Sequence, residues 1–277
     1  MKFNQIFIPG IMMIAIACNP TGSNEKKQDS NTKAWEIPGW QLVWHDEFDG
    51  SELDPQFWLF ETGGHGWGND ESQYYTDRPE NAYLEDGKLI ISAKLENYEG
   101  KEYTSARINS KIGWKYKRID VKAKLPQGVG TWPAIWMLPD VWDYGNGSWP
   151  DNGEIDIMEH VGYDPGKVHA SIHTQAYNHK NGTQKSGTIM VPDAMSTFHV
   201  YSMEWYPDSL KFFLDETQYF KVVRESDDWR KWPFNKKFHL LLNIAVGGGW
   251  GGVKGIDNTI FPANMEIDYV RVYEPEE

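Results

Sequence analysis

The sequence predicts an all-β chain, folded as a sandwich of two large antiparallel sheets. Three observations lead there: apolar residues recur with period two in many short runs, turn signals separate those runs, and no segment of the 277 residues sustains a 3.6 period. The alternating runs are K-L-I-I-S-A-K-L (88–95), R-I-D-V-K-A-K-L (118–125), K-V-H-A-S-I-H-T (167–174), F-H-V-Y-S-M-E-W (198–205) and M-E-I-D-Y-V-R-V-Y (265–273). Each suits a half-buried strand, whose successive side chains point to opposite faces. Between them lie E-D-G-K (85–88), Y-P-D-S (206–209) and glycine clusters at 62–68, 145–147 and 247–252. Only D-W-R-K-W (228–232) reads as a short helical turn. A dozen or more strands at this spacing make a sandwich. There is no internal repeat and no second linker.

The N-terminus has a different character. Lys2 precedes an apolar run from Ile6 to Ala17, 12 residues that are too few to span a bilayer and read as a secretory signal. The run ends in A-I-A-C, and Cys18 is the only cysteine. That ending resembles a bacterial lipoprotein signal, in which the cysteine becomes the lipidated first residue; the other reading is ordinary cleavage with Cys18 a bystander. Residues 19–34 are almost wholly polar and read as a flexible tether. The expected organisation is a signal at 1–17, a tether at 18–34 and one domain at 35–277. The expected location is the cell surface or outer membrane, or otherwise the medium. An exported domain without further cysteines has no disulfides and depends on its core.

A formal charge of -13 without a Lys/Arg cluster argues against nucleic acid and other polyanions and favours a neutral substrate. Fourteen Trp and fourteen Tyr exceed the needs of a core, and flat rings with a polar tip suit sugar faces. Any single Trp is also an ordinary core residue.

The most informative stretch is N-G-E-I-D-I-M-E-H-V-G (152–162). On a regular strand Glu154 and Asp156 share a face while Glu159 points away. On a helix, Glu154 and Glu159 would be roughly 140° apart. A β-bulge absorbing Met158, or its neighbour Ile157, turns Glu159 back onto the face of the other two acids. Two carboxyl groups about 5 Å apart suit a retaining glycosidase, one as nucleophile and one as acid/base. At an effective dielectric of about 20 their repulsion is about 3.3 kcal/mol, equivalent to roughly 2.4 pH units, enough to lift one glutamate from about 4.3 to roughly 6–7. Two other readings stay open: a solvated edge strand, and a metal site using Glu159 and His160 with His169 and His173, which lacks the helical H-E-x-x-H arrangement.

Together with G-G-H-G-W-G-N-D-E-S-Q-Y-Y-T (63–76), Y-T-S-A-R-I (103–108), G-T-W-P-A-I-W-M-L-P (130–139), W-P-D-N-G-E-I-D-I-M-E-H (149–160) and N-I-A-V-G-G-G-W-G-G (243–252), this stretch closely resembles the bacterial laminarinases, endo-1,3-β-glucanases of glycoside hydrolase family 16. The resemblance implies a concanavalin-like β-jelly-roll with a substrate cleft on its concave sheet. It implies Glu154 as nucleophile, Glu159 as acid/base and Asp156 as the residue that orients the nucleophile. Met158 sets the chain apart from the lichenase branch, which has one residue fewer between the acids, and the Trp-rich motifs favour a neutral β-glucan. Mixed-linkage glucan, agarose and a non-catalytic glucan-binding role are the alternatives. Implied sugar contacts are Asn69, Arg107, Trp132, Trp136, Trp149, His173 and Trp250; for Arg107 and His173 a structural hydrogen bond is the other reading. Trp132 and Trp136 are an even step apart and share a face if they lie on one strand, although Pro133 between them argues for an edge or irregular strand. The resemblance also implies a structural calcium on the convex side, held through Glu47, Gly87 and Asp268, and no cofactor for catalysis. A monomer is expected.

Overall fold

Among the described residues, seventeen strands follow one another: β1 (Trp40–Asp46), β2 (Trp58–Glu61), β3 (Gln73–Tyr75), β4 (Ala82–Glu85), β5 (Lys88–Tyr98), β6 (Lys101–Ser105), β7 (Arg107–Trp114), β8 (Arg118–Lys124), β9 (Thr131–Pro139), β10 (Glu154–His160), β11 (Lys167–His173), β12 (Lys185–Met190), β13 (His199–Tyr206), β14 (Ser209–Leu214), β15 (Thr217–Val223), β16 (Phe238–Val246) and β17 (Ala263–Pro275). All five alternating runs of the sequence fall on strands to within one residue at an end, and residues 228–232 form a turn closed by Trp232 N–H donating to the Asp228 carbonyl. This computed structural model describes Met1 and residues 35–276, so the signal, the tether and Cys18 lie outside the described residues. Among the described residues there is no α-helix, only two short 3-10 turns (His179–Asn181 and Asn258–Ile260), and no helix is long and apolar enough to cross a membrane.

The strands form two sheets. One has seven strands in the order β12-β11-β10-β9-β16-β7-β2; the other runs β15-β14-β13-β8-β17-β5-β6-β3, with β1 paired to β17 and β4 to β5. Pairing is antiparallel except between β3 and β6. These two are separated by residues 76–100, long enough for the crossover that a parallel pair needs. The core lies between the sheets and is fed by the inward side chains of both, such as Ile135, Met137, Ile155 and Ile172 from one and Ile91, Val121, Met203 and Val270 from the other. Burying each such side chain is worth about 1.5–3 kcal/mol.

Two irregularities matter. On β10 the register shifts between Asp156 and Glu159 against β11, and between Asp156 and Met158 against β9. Ile157 and Met158 both enter the core, at 1% and 0% exposure, so the odd step is accommodated by two consecutive inward residues. A second bulge, at Asp268 on β17, falls where inward Ile267 is followed by inward Val270 instead of residue 269. The alternation of 265–273 had concealed it.

One expectation is corrected. Pro133 does not mark an edge: β9 lies between β10 and β16. Pro133 sits opposite Ile244 of β16, whereas pairing with β10 stops one residue away, at Ala134–Glu159. A proline without an N–H is tolerated where one neighbour's ladder has ended.

Candidate active site

The outer face of the seven-stranded sheet carries the predicted acids. Alternation along β10 sends Glu154 and Asp156 outward, and the bulge brings Glu159 after them. A single row of paired residues crosses the sheet here: Glu61, Arg107, Asn243, Ala134, Glu159 and His169 on β2, β7, β16, β9, β10 and β11. Small Ala134 stands between Trp132 and Trp136 on the same face of β9, leaving a gap flanked by indoles.

Each glutamate is held by a specific donor. Trp149 Nε1 donates to Glu154 Oε2 at 3.0 Å, and Trp132 Nε1 donates to Glu159 Oε1 at 3.1 Å. His173 Nε2 lies 3.2 Å from Asp156 Oδ2 and 3.7 Å from Glu154 Oε1, close enough for ion pairing but not aligned as a hydrogen bond to Asp156. Burial is the leading cause of the raised carboxyl pKa values. It and then Asp156 push both Glu154 and Glu159 up to about 8, with His173 and the indole N–H groups pulling the other way. Asp156 is itself held well above its ordinary range by burial. Repulsion between the two glutamates is thus a lesser cause than the sequence argument supposed. Three acids packed this closely cannot all be ionised, so one remains available as a proton donor.

The remaining predicted residues divide into groups. Arg107, 8% exposed, pairs with Glu61 and lies between two indoles, 4.6 Å from the Trp67 ring and 4.7 Å from that of Trp136. Trp250 packs edge-on against Trp132 at 5.5 Å and His169 at 5.0 Å. Its glycine loop is tied to Asn69, whose carbonyl accepts Gly249 N–H at 2.7 Å. Trp149 lies 5.0 Å from His179, and Lys180 sits 4.8 Å over its ring. The sequence reading missed His179 and Lys180, which lie in a loop without a pattern, and also Trp67, Glu61 and Asn243. Asn243 left a signal: it is the one polar residue in L-L-L-N-I-A-V (240–246).

The predicted metal rival comes apart. His160 turns inward, fully buried, and its Nε2 accepts Gly166 N–H at 3.2 Å, so it cannot join Glu159. Glu154, Asp156 and His173 do offer ligand atoms within 4.8 Å of one another, but their geometry already serves a carboxylate set. The residues expected to hold calcium lie on the other sheet. The pairs Asp46–Val270 and Leu89–Ile267 bring residue 47, the turn at Gly87 and the bulged Asp268 to one place. Arg271 occupies the Glu47 carboxylate at 2.8 and 2.9 Å, leaving Glu47 its carbonyl to offer, and Asp268 Oδ2 takes Lys122 Nζ at 2.7 Å.

A pH dependence follows from the acids. An enzyme that needs Glu159 protonated loses turnover as pH rises through about 8. Asp156→Asn removes a carboxyl group that raises the Glu159 pKa, so the alkaline limb of the kcat/KM profile, which reports the free enzyme, should move to lower pH. An unmoved limb would show that Asp156 does not set it.

Comparison with known proteins gives a consistent result. The model of the glycosyl hydrolases family 16 matches residues 68–271. A beta-glucanase of Rhodothermus marinus is 53% identical over 272 residues, covering 95% of this chain and 92% of that protein. The glucan endo-1,3-beta-glucosidase A1 of Niallia circulans is 38% identical over 266 residues, covering 86% of this chain and 38% of that longer protein. Among solved structures, the laminarinase of Rhodothermus marinus superposes with a TM-score of 0.85 at 54% identity, covering 87% of this chain and all of that one.

Proposed function

The chain belongs to family 16 of the glycosyl hydrolases, and from that premise we propose that it is a retaining endo-hydrolase of 1,3-β-glucans whose nucleophile is Glu154 and whose acid/base is Glu159. The observation that carries the assignment is the β10 bulge, which sets Glu159 on the face of Glu154. In the first step Glu159 protonates the departing glycosidic oxygen while Glu154 attacks the anomeric carbon, giving a glycosyl-enzyme; Glu159 then deprotonates the water that releases the sugar. The indole N–H of Trp132 holds one oxygen of Glu159 and leaves Oε2 for the proton transfer. Trp149 does the same for Glu154, leaving Oε1 for attack. Asp156 steers the nucleophile and raises its pKa, while His173 pulls that pKa down.

Specificity for laminarin-type chains is the reading that the indole-lined face favours. Asn69, Arg107, Trp132, Trp136, Trp149, His173 and Trp250 are its sugar contacts, with Arg107 acting from between two indoles. Purified laminarin, mixed-linkage β-glucan and agarose, with product sizing, test it: rapid release of short oligosaccharides from laminarin is expected. Faster cleavage of either other polymer would reassign the substrate, and binding of laminarin without cleavage would leave a lectin.

A calcium ion held by the Glu47 and Gly87 carbonyls and the Asp268 carboxylate would serve stability, since a ligand bound only by the folded state adds about 2.7 kcal/mol at a hundredfold excess over Kd. Added calcium should therefore raise the Tm by about 5–10 °C, and Asp268→Ala should abolish the rise. A chelator-insensitive Tm would remove the site. Attachment to a membrane through lipid on Cys18 is the matching proposal for the N-terminus. Mass spectrometry of the native protein should find an acylated Cys18 as the first residue, and an unmodified or absent Cys18 would reject it.

A further inference from the structure

Beside the acids, a line of buried polar groups runs from Glu71, before β3, through Tyr75 on β3 and Asn243 on β16 to Trp136 on β9, and none of them takes a bond-making role in the hydrolysis. Glu71, 5% exposed, accepts the Tyr75 hydroxyl at 3.1 Å and Gln73 Nε2 at 2.7 Å on the same oxygen. Tyr75 is fully buried, and its oxygen accepts Asn243 Nδ2 at 3.0 Å. Asn243 Oδ1 in turn accepts Trp136 Nε1 at 2.7 Å.

The direction of each bond is forced by the one before. A carboxylate only accepts, so the single hydroxyl proton of Tyr75 goes to Glu71. The hydroxyl lone pair then takes the Asn243 amide N–H, which turns the amide oxygen to the indole N–H of Trp136, a group that only donates. Burial, and then Glu71, hold the Tyr75 hydroxyl well above its ordinary ionisation range, so its proton stays in place. A buried polar line in an apolar sheet costs free energy unless every member is paired, and apolar side chains would fill the same space more cheaply. What the line secures is its far end: the plane of the Trp136 ring, over which the Arg107 guanidinium lies.

We propose that Tyr75 is a positioning residue for the hydrolysis, passing the acceptor character of Glu71 through Asn243 to fix the Trp136 indole and, against it, the Arg107 guanidinium. The proposal rests on the reading of this face as the glucan cleft. Tyr75 touches no sugar. It acts through two other side chains.

The test uses Tyr75→Phe, which removes one oxygen and keeps the ring. In protein labelled with ¹⁵N at its indoles, the Trp136 N–H resonance, identified by its loss in Trp136→Phe, should be displaced in Tyr75→Phe. The variant should lose about tenfold in kcat/KM on laminarin, the scale of a sub-ångström misplacement. In an Asn243→Ala background the same change should cost less than about twofold, because the line is already cut. If Tyr75→Phe does not fold, Asn243→Leu, an apolar side chain of similar size, carries the same two readouts. An unmoved indole resonance, near-normal kcat/KM, or losses that multiply in the double variant would each overturn the proposal. A displaced resonance combined with unimpaired hydrolysis by Trp136→Phe and Arg107→Lys would instead overturn the sugar-contact reading and leave the hydrogen-bonded line standing.

Discussion

Glu154→Ala should lower turnover of laminarin by about 10⁴-fold or more, and Glu159→Ala by about 10²–10⁴-fold. The first removes the nucleophile and the second the proton that the leaving sugar needs. Azide distinguishes the two roles. In Glu154→Ala, azide entering from the vacated side should give a glycosyl azide of inverted configuration. In Glu159→Ala, with an activated leaving group, azide should intercept the glycosyl-enzyme and give retained configuration. Exchange of these products would exchange the assignments, and near-normal turnover in either variant would end them. Stability supplies an independent check. Both glutamates have folded-state pKa values of about 8, above the ordinary value of 4.5. Their contribution is therefore fully present below pH of about 4.5 and is lost as pH rises through about 8. Glutamine at either position should leave the Tm unchanged near pH 4 and raise it near pH 9. No rise at pH 9 would mean that burial does not strain these carboxylates.

Gly162→Ala is expected to be the most damaging single methyl group in the sheet. A Cβ there would lie 1.7 Å from the Gly128 carbonyl oxygen and 2.6 Å from Thr131 Oγ1. The first obstacle is backbone, so no side-chain rotation relieves the overlap. Gly162 N–H also donates to the Thr131 carbonyl at 2.9 Å, binding the end of β10 to the start of β9. Separating those segments should cost about 4 kcal/mol or more, a drop in Tm of about 10 °C or more. It should also displace Glu159, three residues upstream, so the surviving folded protein should show reduced kcat. Gly182→Ala is the control. Gly182 has φ +65 with nothing within 4 Å of a Cβ, so only the left-handed backbone cost of about 1–2 kcal/mol applies. Equal losses at the two positions would refute the close-approach argument.

The strands and the acid cluster were legible because both are written in a period of two. Where E-I-D-I-M-E departs from that period, the departure is itself the signal, since only a bulge reconciles three outward acids with Ile155, Ile157 and Met158 inward. Strand neighbours were not legible. Nothing local places β17 between β5 and β8, or β9 in the middle of its sheet despite Pro133, because these are long-range pairings. The indoles were found but their work was only half seen. Trp132 and Trp149 were expected as sugar contacts, whereas the structure also shows each donating to a glutamate, a relation that depends on two strands or a loop meeting. The origin of the raised carboxyl pKa values was likewise hidden. Pairwise repulsion can be estimated from spacing, but burial, the larger cause, belongs to the folded sheet.

β1 and β17, the first and last of the described strands, pair with each other on the sheet that bears none of the three acids. A bead, a fusion partner or a solid support coupled through either strand would therefore leave the opposite layer turned toward an insoluble polymer, and immobilisation should cost little access to particulate glucan.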